Sequence, residues 1–223
     1  MIDICELKGL IAELSSPNPF GEKVLLVGAT KTVPADIINQ AIENGLKIVA
    51  ENKVQEFRGK TDLIKGAHQH FIGHLQTNKV KYLIGKVDLI QSVDSIHLAQ
   101  IIDYESAKKN TVTDILIEVN VGGELSKSGF NLQNVKDAVK EISAMQNIRI
   151  KGLMAMLPKG EEHELIPLCK KMRKVYDELK NQGYGFEFLS MGMSADYKTA
   201  IQCGSNMVRI GSRIFGKRDY EVK

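Results

Sequence analysis

The sequence lacks several features that would narrow its function at once. It has only three cysteines, Cys5, Cys169 and Cys203. Their number is odd, their spacings are wide and no CxxC occurs, which argues against a disulfide framework or a zinc site. Reduced thiols and a cytoplasmic location are the expectation. No apolar run approaches the ~20 residues needed to cross a bilayer. The opening stretch, MIDICELKGL, carries acidic side chains where a secretory signal needs an apolar core. The net charge is only +3, and no basic block is interleaved with aromatics. Neither nucleic acid nor a membrane is therefore an expected partner. No GxGxxG follows the first apolar run, which weakens a dinucleotide-binding reading. The carboxylates Glu51, Asp94 and Glu118 have no HxxE or DxD spacing behind them, so no metal is expected.

What is present is a regular alternation. Short apolar runs, several rich in Val and Ile, recur at residues 24–29, 47–52, 70–75, 88–93, 114–121, 148–156, 186–191 and 207–212. They have the character of buried parallel strands. Between them lie stretches with apolar residues at helical spacing, at 34–45, 95–110, 132–145 and 161–183. A further helix is expected before the first strand, over 2–14. Strand–helix alternation implies parallel strands with right-handed crossovers. Eight such units in 223 residues predict an α/β fold, a single (β/α)8 TIM-type barrel with an additional N-terminal helix. The whole chain, 1–223, is expected to be one domain.

A barrel predicts where chemistry lies. Active sites sit at the C-terminal ends of the strands, and phosphate is often held by the loops after the last two. The loop after the seventh run reads SMGMSADY, Ser190–Tyr197. It offers two hydroxyls and an expected helix start at Ser194, which serves either as a plain cap or as part of an anion site. The eighth run leads into VRIGSRIFG, Val208–Gly216. There Gly211 and Ser212 can turn their N–H groups inward. Arg209 lies two residues before Gly211, so both point to one face of the strand. An inward arginine needs a partner, whether a buried carboxylate or a ligand. Lys31, just past the first strand in VLLVGATKTVP, is either a solvated side chain or a desolvated amine able to form a Schiff base. A phosphorylated aldehyde would unite Lys31 with both loops, and pyridoxal phosphate is such a molecule.

The segments GATKTVP, AENKVQE, HFIGHLQTNKVK, QSVDS, VNVGGELSKSGF, GLMAM, SMGMSADY and MVRIGSRIFG occur in this order over nearly the whole chain. As a set they closely resemble the pyridoxal phosphate homeostasis protein family, the YggS or PROSC proteins. That family is similar to the N-terminal barrel domain of alanine racemase. The resemblance implies a pyridoxal 5'-phosphate cofactor, held as a Schiff base on Lys31. It implies that Arg209 contacts the pyridine nitrogen and that Ser194, Gly211 and Ser212 hold the phosphate. Ser190 and Met191 fall in the same loop, and Asn52 is expected to line the pocket. Lys127 matches a lysine of the family pattern and is either a secondary cofactor site or a solvated loop residue. Val33, Ala50, Gln69 and Ala195 depart from the family pattern. The first replaces a second lysine, so a transfer role relying on that lysine does not carry over.

The resemblance implies a protein of intracellular vitamin B6 homeostasis that buffers the cofactor or delivers it to apo-enzymes, without robust catalysis of its own. An arginine on the pyridine nitrogen disfavours ring protonation, because two cations repel at contact distance, and the ring is then a weak electron sink. Alanine racemase adds a β-rich domain that supplies an acid–base group at a dimer interface. This chain ends soon after the eighth strand, so a monomer without that domain is expected. A small pyridoxal phosphate-dependent racemase is the alternative, with His74 or Tyr197 as partner to Lys31. The basic tail from Lys217 to Lys223 is expected to be solvated.

Overall fold

The computed structural model of the protein describes residues 2–124 and 127–216. The basic tail, Lys217 and Arg218 included, lies outside the described residues. In chain order the elements are α1 (Ile4–Glu13), β1 (Leu25–Ala29), α2 (Ala35–Glu43), β2 (Ile48–Glu51), α3 (Val54–Lys60) and β3 (His68–Phe71). A short 3-10 segment, Thr77–Tyr82, leads to β4 (Leu89–Val93), α4 (Ile96–Lys108), β5 (Thr113–Asn120) and the two-residue β6 (Phe130–Asn131). Then come α5 (Val135–Ile142), β7 (Ile148–Ala155), α6 (Glu162–Asn181), β8 (Phe188–Met193), α7 (Tyr197–Gln202), β9 (Met207–Ile210) and α8 (Ser212–Phe215).

All strand pairings are parallel, and β1–β9 and β4–β5 close the ring into an eight-stranded (β/α)8 barrel. The order around it is β1, β2, β3, β4, β5, β7, β8, β9, with β6 attached outside on β5. β1 and β5 therefore stand across the barrel from each other. The eight apolar runs are the eight barrel strands. Their ends shift most at β3, where residues 72–75 leave the sheet and form part of the rim. The helix expected over 34–45 begins one residue later, with Pro34 as its N-cap, and ends ahead of Gly45, whose φ of +106° suits glycine. The sequence pattern did not anticipate α3, α8 or β6, which are too short to show a period, and α7 starts later than the helix expected from Ser194.

The leading helix is present. Asp3 caps it by accepting the Glu6 N–H at 2.9 Å, and the Asp3 N–H donates to Ile214 O at 2.8 Å. Leu7 and Leu10 pack with Ile38, Val208 and Ile214, covering the outside of the β1–β9 seam. The barrel interior holds Val27, Ile48, Ala50, Leu89, Leu116, Met154 and Met207. On β9 the period of two separates Met207 and Arg209, which face inward, from Val208 and Ile210, which face the helices. Four polar side chains, His70, Gln91, Ser190 and Arg209, are buried along the same interior.

Candidate cofactor site

At the C-terminal end of the strands lies a cavity of about 430 Å³. Lys31, Asn52, Ser194, Arg209, Gly211 and Ser212 all line it. They come from the ends of β1, β2, β8 and β9, the first two strands and the last two of the barrel, and only barrel closure brings them together. Ser190 and Met191 do not line it. Both are fully buried strand residues of β8: Ser190 faces the barrel axis one layer below the cavity, and Met191 faces the helices. Met191 packs in the outer core, its N–H bonded to Ser205 Oγ at 3.2 Å. Ser190 lies beneath the cavity and accepts from Arg209.

Lys31 sits in a tightly held loop. Thr30 is fully buried; its hydroxyl donates to Glu51 Oε1 at 2.8 Å and to Ala50 O at 3.1 Å. Thr32 has φ +64°, the left-handed region that a β-branched residue rarely occupies. Its N–H donates to Glu56 Oε2 at 2.6 Å. Lys60 binds Glu51 and Glu56, each at 2.8 Å, and reaches Thr30 O at 3.3 Å. One ammonium thus ties both carboxylates to the segment that flanks Lys31. Burial raises the pKa of Glu51, and Lys60 works against that rise.

Asn52 directly follows the second strand, and its Oδ1 is buried with no hydrogen-bond partner. The rim beside it depends on Gly73. A Cβ there would stand 2.0 Å from Asn52 O, so only glycine lets the two segments approach this closely.

Arg209 is 4% exposed. One terminal nitrogen donates to Ser190 O at 2.9 Å and Ser190 Oγ at 2.6 Å, and the other to Ala155 O at 2.9 Å. Its partners are therefore oxygens of neutral groups. Burial lowers its pKa to about 10, with Glu118 and Asp196 opposing, so it stays charged at neutral pH. Its remaining N–H groups are available to a ligand.

Ser194 faces the cavity but does not begin a helix. The N-cap of α7 is Asp196, and the helix starts at Tyr197 because the Asp196 side chain accepts the Met193 N–H and turns the chain first. That leaves the Ser194 hydroxyl outside the cap. Gly211 is the N-cap of α8, and Ser212 its first residue. The first N–H groups of that short helix have no intrahelical acceptor.

The opposite wall carries Glu118, His74, Lys127 and Ser128. His74 Nδ1 lies 3.1 Å from Asp94 Oδ2 at the exposed rim. Lys127 pairs with Glu124. Tyr197 turns away to hydrogen-bond Glu13 and Arg213, and does not line the cavity. Glu118 is 5% exposed, and its pKa is raised to about 7, chiefly by burial and further by Asp94, against the pull of Arg209 and His74. Sequence reasoning left Glu118 as a scattered carboxylate. Its signal was parity: it shares a strand face with Leu116, which lies inside the barrel.

The arrangement fits a phosphorylated aromatic aldehyde. It offers an amine, a buried guanidinium, hydroxyls and free N–H groups at the last two strand ends, and an orphaned acceptor in Asn52. Comparison with known proteins agrees. The family model for the alanine racemase N-terminal domain matches residues 29–219. The pyridoxal phosphate homeostasis protein of Aquifex aeolicus is 45% identical over 199 residues, covering 87% of each chain. That of Escherichia coli K12 is 34% identical over 208 residues, covering 91% of this chain and 89% of the relative. The structure of PipY from Synechococcus elongatus with PLP bound superposes with a TM-score of 0.83 at 28% identity, covering 96% of this chain and all of that one. Shared sequence over nearly the full length places this chain in the pyridoxal phosphate homeostasis protein family, within the wider alanine racemase N-terminal domain family.

Proposed function

We propose that this chain, acting as a single unit, binds pyridoxal 5'-phosphate and serves its homeostasis by buffering the cofactor or delivering it to apo-enzymes. The observation that carries this reading is the meeting of Lys31, Arg209, Ser194, Gly211 and Ser212 in one cavity. Lys31 holds the ligand covalently: its amine condenses with the aldehyde as a Schiff base, and the carbonyl oxygen leaves as water. Ser194, Ser212 and the first N–H groups of α8 receive the phosphate, and charge-assisted bonds add affinity there. Arg209 meets the pyridine nitrogen and keeps it unprotonated, because a second cation there would face a guanidinium already charged at neutral pH. The bound cofactor supplies an electrophilic carbon and an electron-withdrawing ring, here a weakened one. That weakness supports storage over catalysis. The protein is proposed to work in the cytoplasm as a monomer, with the cofactor and apo-enzymes as partners and no role for nucleic acid or membrane. No helix among the described residues is long and apolar enough to cross a membrane.

The deciding experiment is a visible absorbance spectrum of purified protein with pyridoxal phosphate, beside a Lys31→Ala variant. An imine band in the wild type and none in the variant is expected. Covalent binding by both would move the anchor to another lysine, such as Lys127. Binding by neither would end the reading.

One observation favours a second reading, a small amino-acid racemase. Glu118 sits on β5, across the barrel from β1 and Lys31, and titrates near neutrality. It is the carboxylate placed to exchange a proton on the side opposite Lys31. Incorporation of deuterium at the α-carbon of L-amino acids, well above the rate with free cofactor, would establish this reading. Its absence leaves the storage function.

A further inference from the structure

Barrel interiors are ordinarily apolar. In this one a continuous hydrogen-bonded chain runs down the axis from the cofactor cavity. Arg209 donates to Ser190 Oγ at 2.6 Å, Ser190 Oγ donates to Gln91 Oε1 at 2.7 Å, and the Gln91 amide nitrogen lies 2.9 Å from His70 Nδ1. Gln91 and Ser190 are fully buried, and His70 is 5% exposed. His70 borders a separate cavity of about 520 Å³ at the opposite end of the barrel.

The direction of every bond is set. A guanidinium only donates, so the Ser190 oxygen accepts from Arg209, and its single proton is left for the Gln91 oxygen once the amide is oriented. The Gln91 amide nitrogen faces both His70 Nδ1 and, at 3.3 Å, the Met207 thioether. The thioether can only accept, which turns the amide nitrogen toward Met207 and His70 and its oxygen toward Ser190. His70 must then be neutral with its proton on Nε2. Burial agrees, lowering its pKa to about 3.

Apolar side chains of the same volume would fill this space without desolvating three polar groups. A satisfied chain instead holds its members in one orientation. Without Gln91 the Ser190 hydroxyl is free to rotate, and its lone pairs no longer point at Arg209. We infer that Gln91 is a positioning residue: through Ser190, and anchored by His70, it locks the Arg209 guanidinium in the orientation that meets the pyridine nitrogen. This inference rests on the cofactor reading above and adds what holds its central cation in place.

Two measurements test it. The first uses the apoprotein and needs no cofactor. With ¹⁵N-labelled arginine, the wild type is expected to show slowly exchanging, individually resolved Arg209 guanidinium N–H signals, and Gln91→Met to lose them. The second is the affinity for pyridoxine 5'-phosphate, which has no aldehyde and so bypasses Lys31. Gln91→Met is expected to weaken binding about tenfold, as loss of a supporting partner does elsewhere. The same substitution in an Arg209→Gln background is expected to cost nothing further. Ser190→Ala, which removes one oxygen, is expected to reproduce the effect and covers the case in which Gln91→Met does not fold. Unchanged Arg209 signals, unchanged affinity, or an equal loss in both backgrounds would overturn the inference. Failure of the wild type to bind either compound would instead end the cofactor reading, and the apoprotein signals would still decide the chain.

Discussion

Replacing Glu118 by glutamine is expected to stabilise the apoprotein, and to do so only above acidic pH. The carboxyl lies in a cavity wall at 5% exposure, and its pKa rises from the ordinary 4.5 to about 7. At about 1.4 kcal/mol for each pH unit of displacement, ionised Glu118 costs the fold about 3 kcal/mol. The sign follows from the proton count. Between pH 4.5 and 7 the folded state holds the Glu118 proton and the unfolded state has released it, so stability falls as pH rises through this window. Glutamine carries no charge and escapes the loss. Urea unfolding of wild type and Glu118→Gln at pH 4.5 and pH 8 is the assay. The two proteins should match at the lower pH, and the variant should gain up to about 3 kcal/mol at the higher. For a chain of this size that corresponds to a melting temperature higher by roughly 6–12 °C. Two charges oppose the effect of burial, Arg209 on β9 and His74 at the rim, while Asp94 reinforces it. A variant that is less stable than wild type at pH 8 would show that the pull of Arg209 outweighs burial. A difference that is equal at both pH values would show that Glu118 does not titrate in this window. Either result would refute the reasoning.

Two further predictions concern the segments that hold the cavity rim. Glu56→Ala removes the acceptor of the Thr32 N–H and one of the two carboxylates on Lys60. Stability should fall by about 1–2 kcal/mol. Stopped-flow absorbance should show slower imine formation, while the affinity for pyridoxine 5'-phosphate stays unchanged; an unchanged rate would show that the Thr32 backbone holds without Glu56. Gly73→Ala places a Cβ 2.0 Å from the Asn52 carbonyl, a backbone atom that cannot swing aside. A loss of about 2 kcal/mol or more in urea unfolding, with weaker cofactor binding through displaced Asn52, is expected. Unaltered stability would mean that the rim relaxes freely.

The sequence by itself determined the architecture, because each strand and each long helix carries its own local pattern. Eight apolar runs alternating with helical stretches pointed to a parallel α/β barrel, with an open doubly wound sheet as the alternative, and the period of two on β9 was enough to turn Arg209 inward with Gly211. Lys31 and the two last loops could be assigned for the same reason: the barrel sends strand ends to one mouth. Short elements such as α3, α7 and α8 carry too few residues for a period, so the helix start expected at Ser194 belongs to Asp196 instead. Only the tertiary structure decided which side chains of a loop face the cavity. Ser190 and Met191 lie only a few residues before Ser194, yet as residues of β8 they are buried, while Ser194, past the strand end, lines the ligand space. It alone decided the state of Glu118, since burial and neighbouring charges set a pKa and neither is written in spacing. And it alone brought His70, Gln91, Ser190 and Arg209, from four strands, into one line, because hydrogen bonds across a barrel depend on closure and register, which no local stretch of chain encodes.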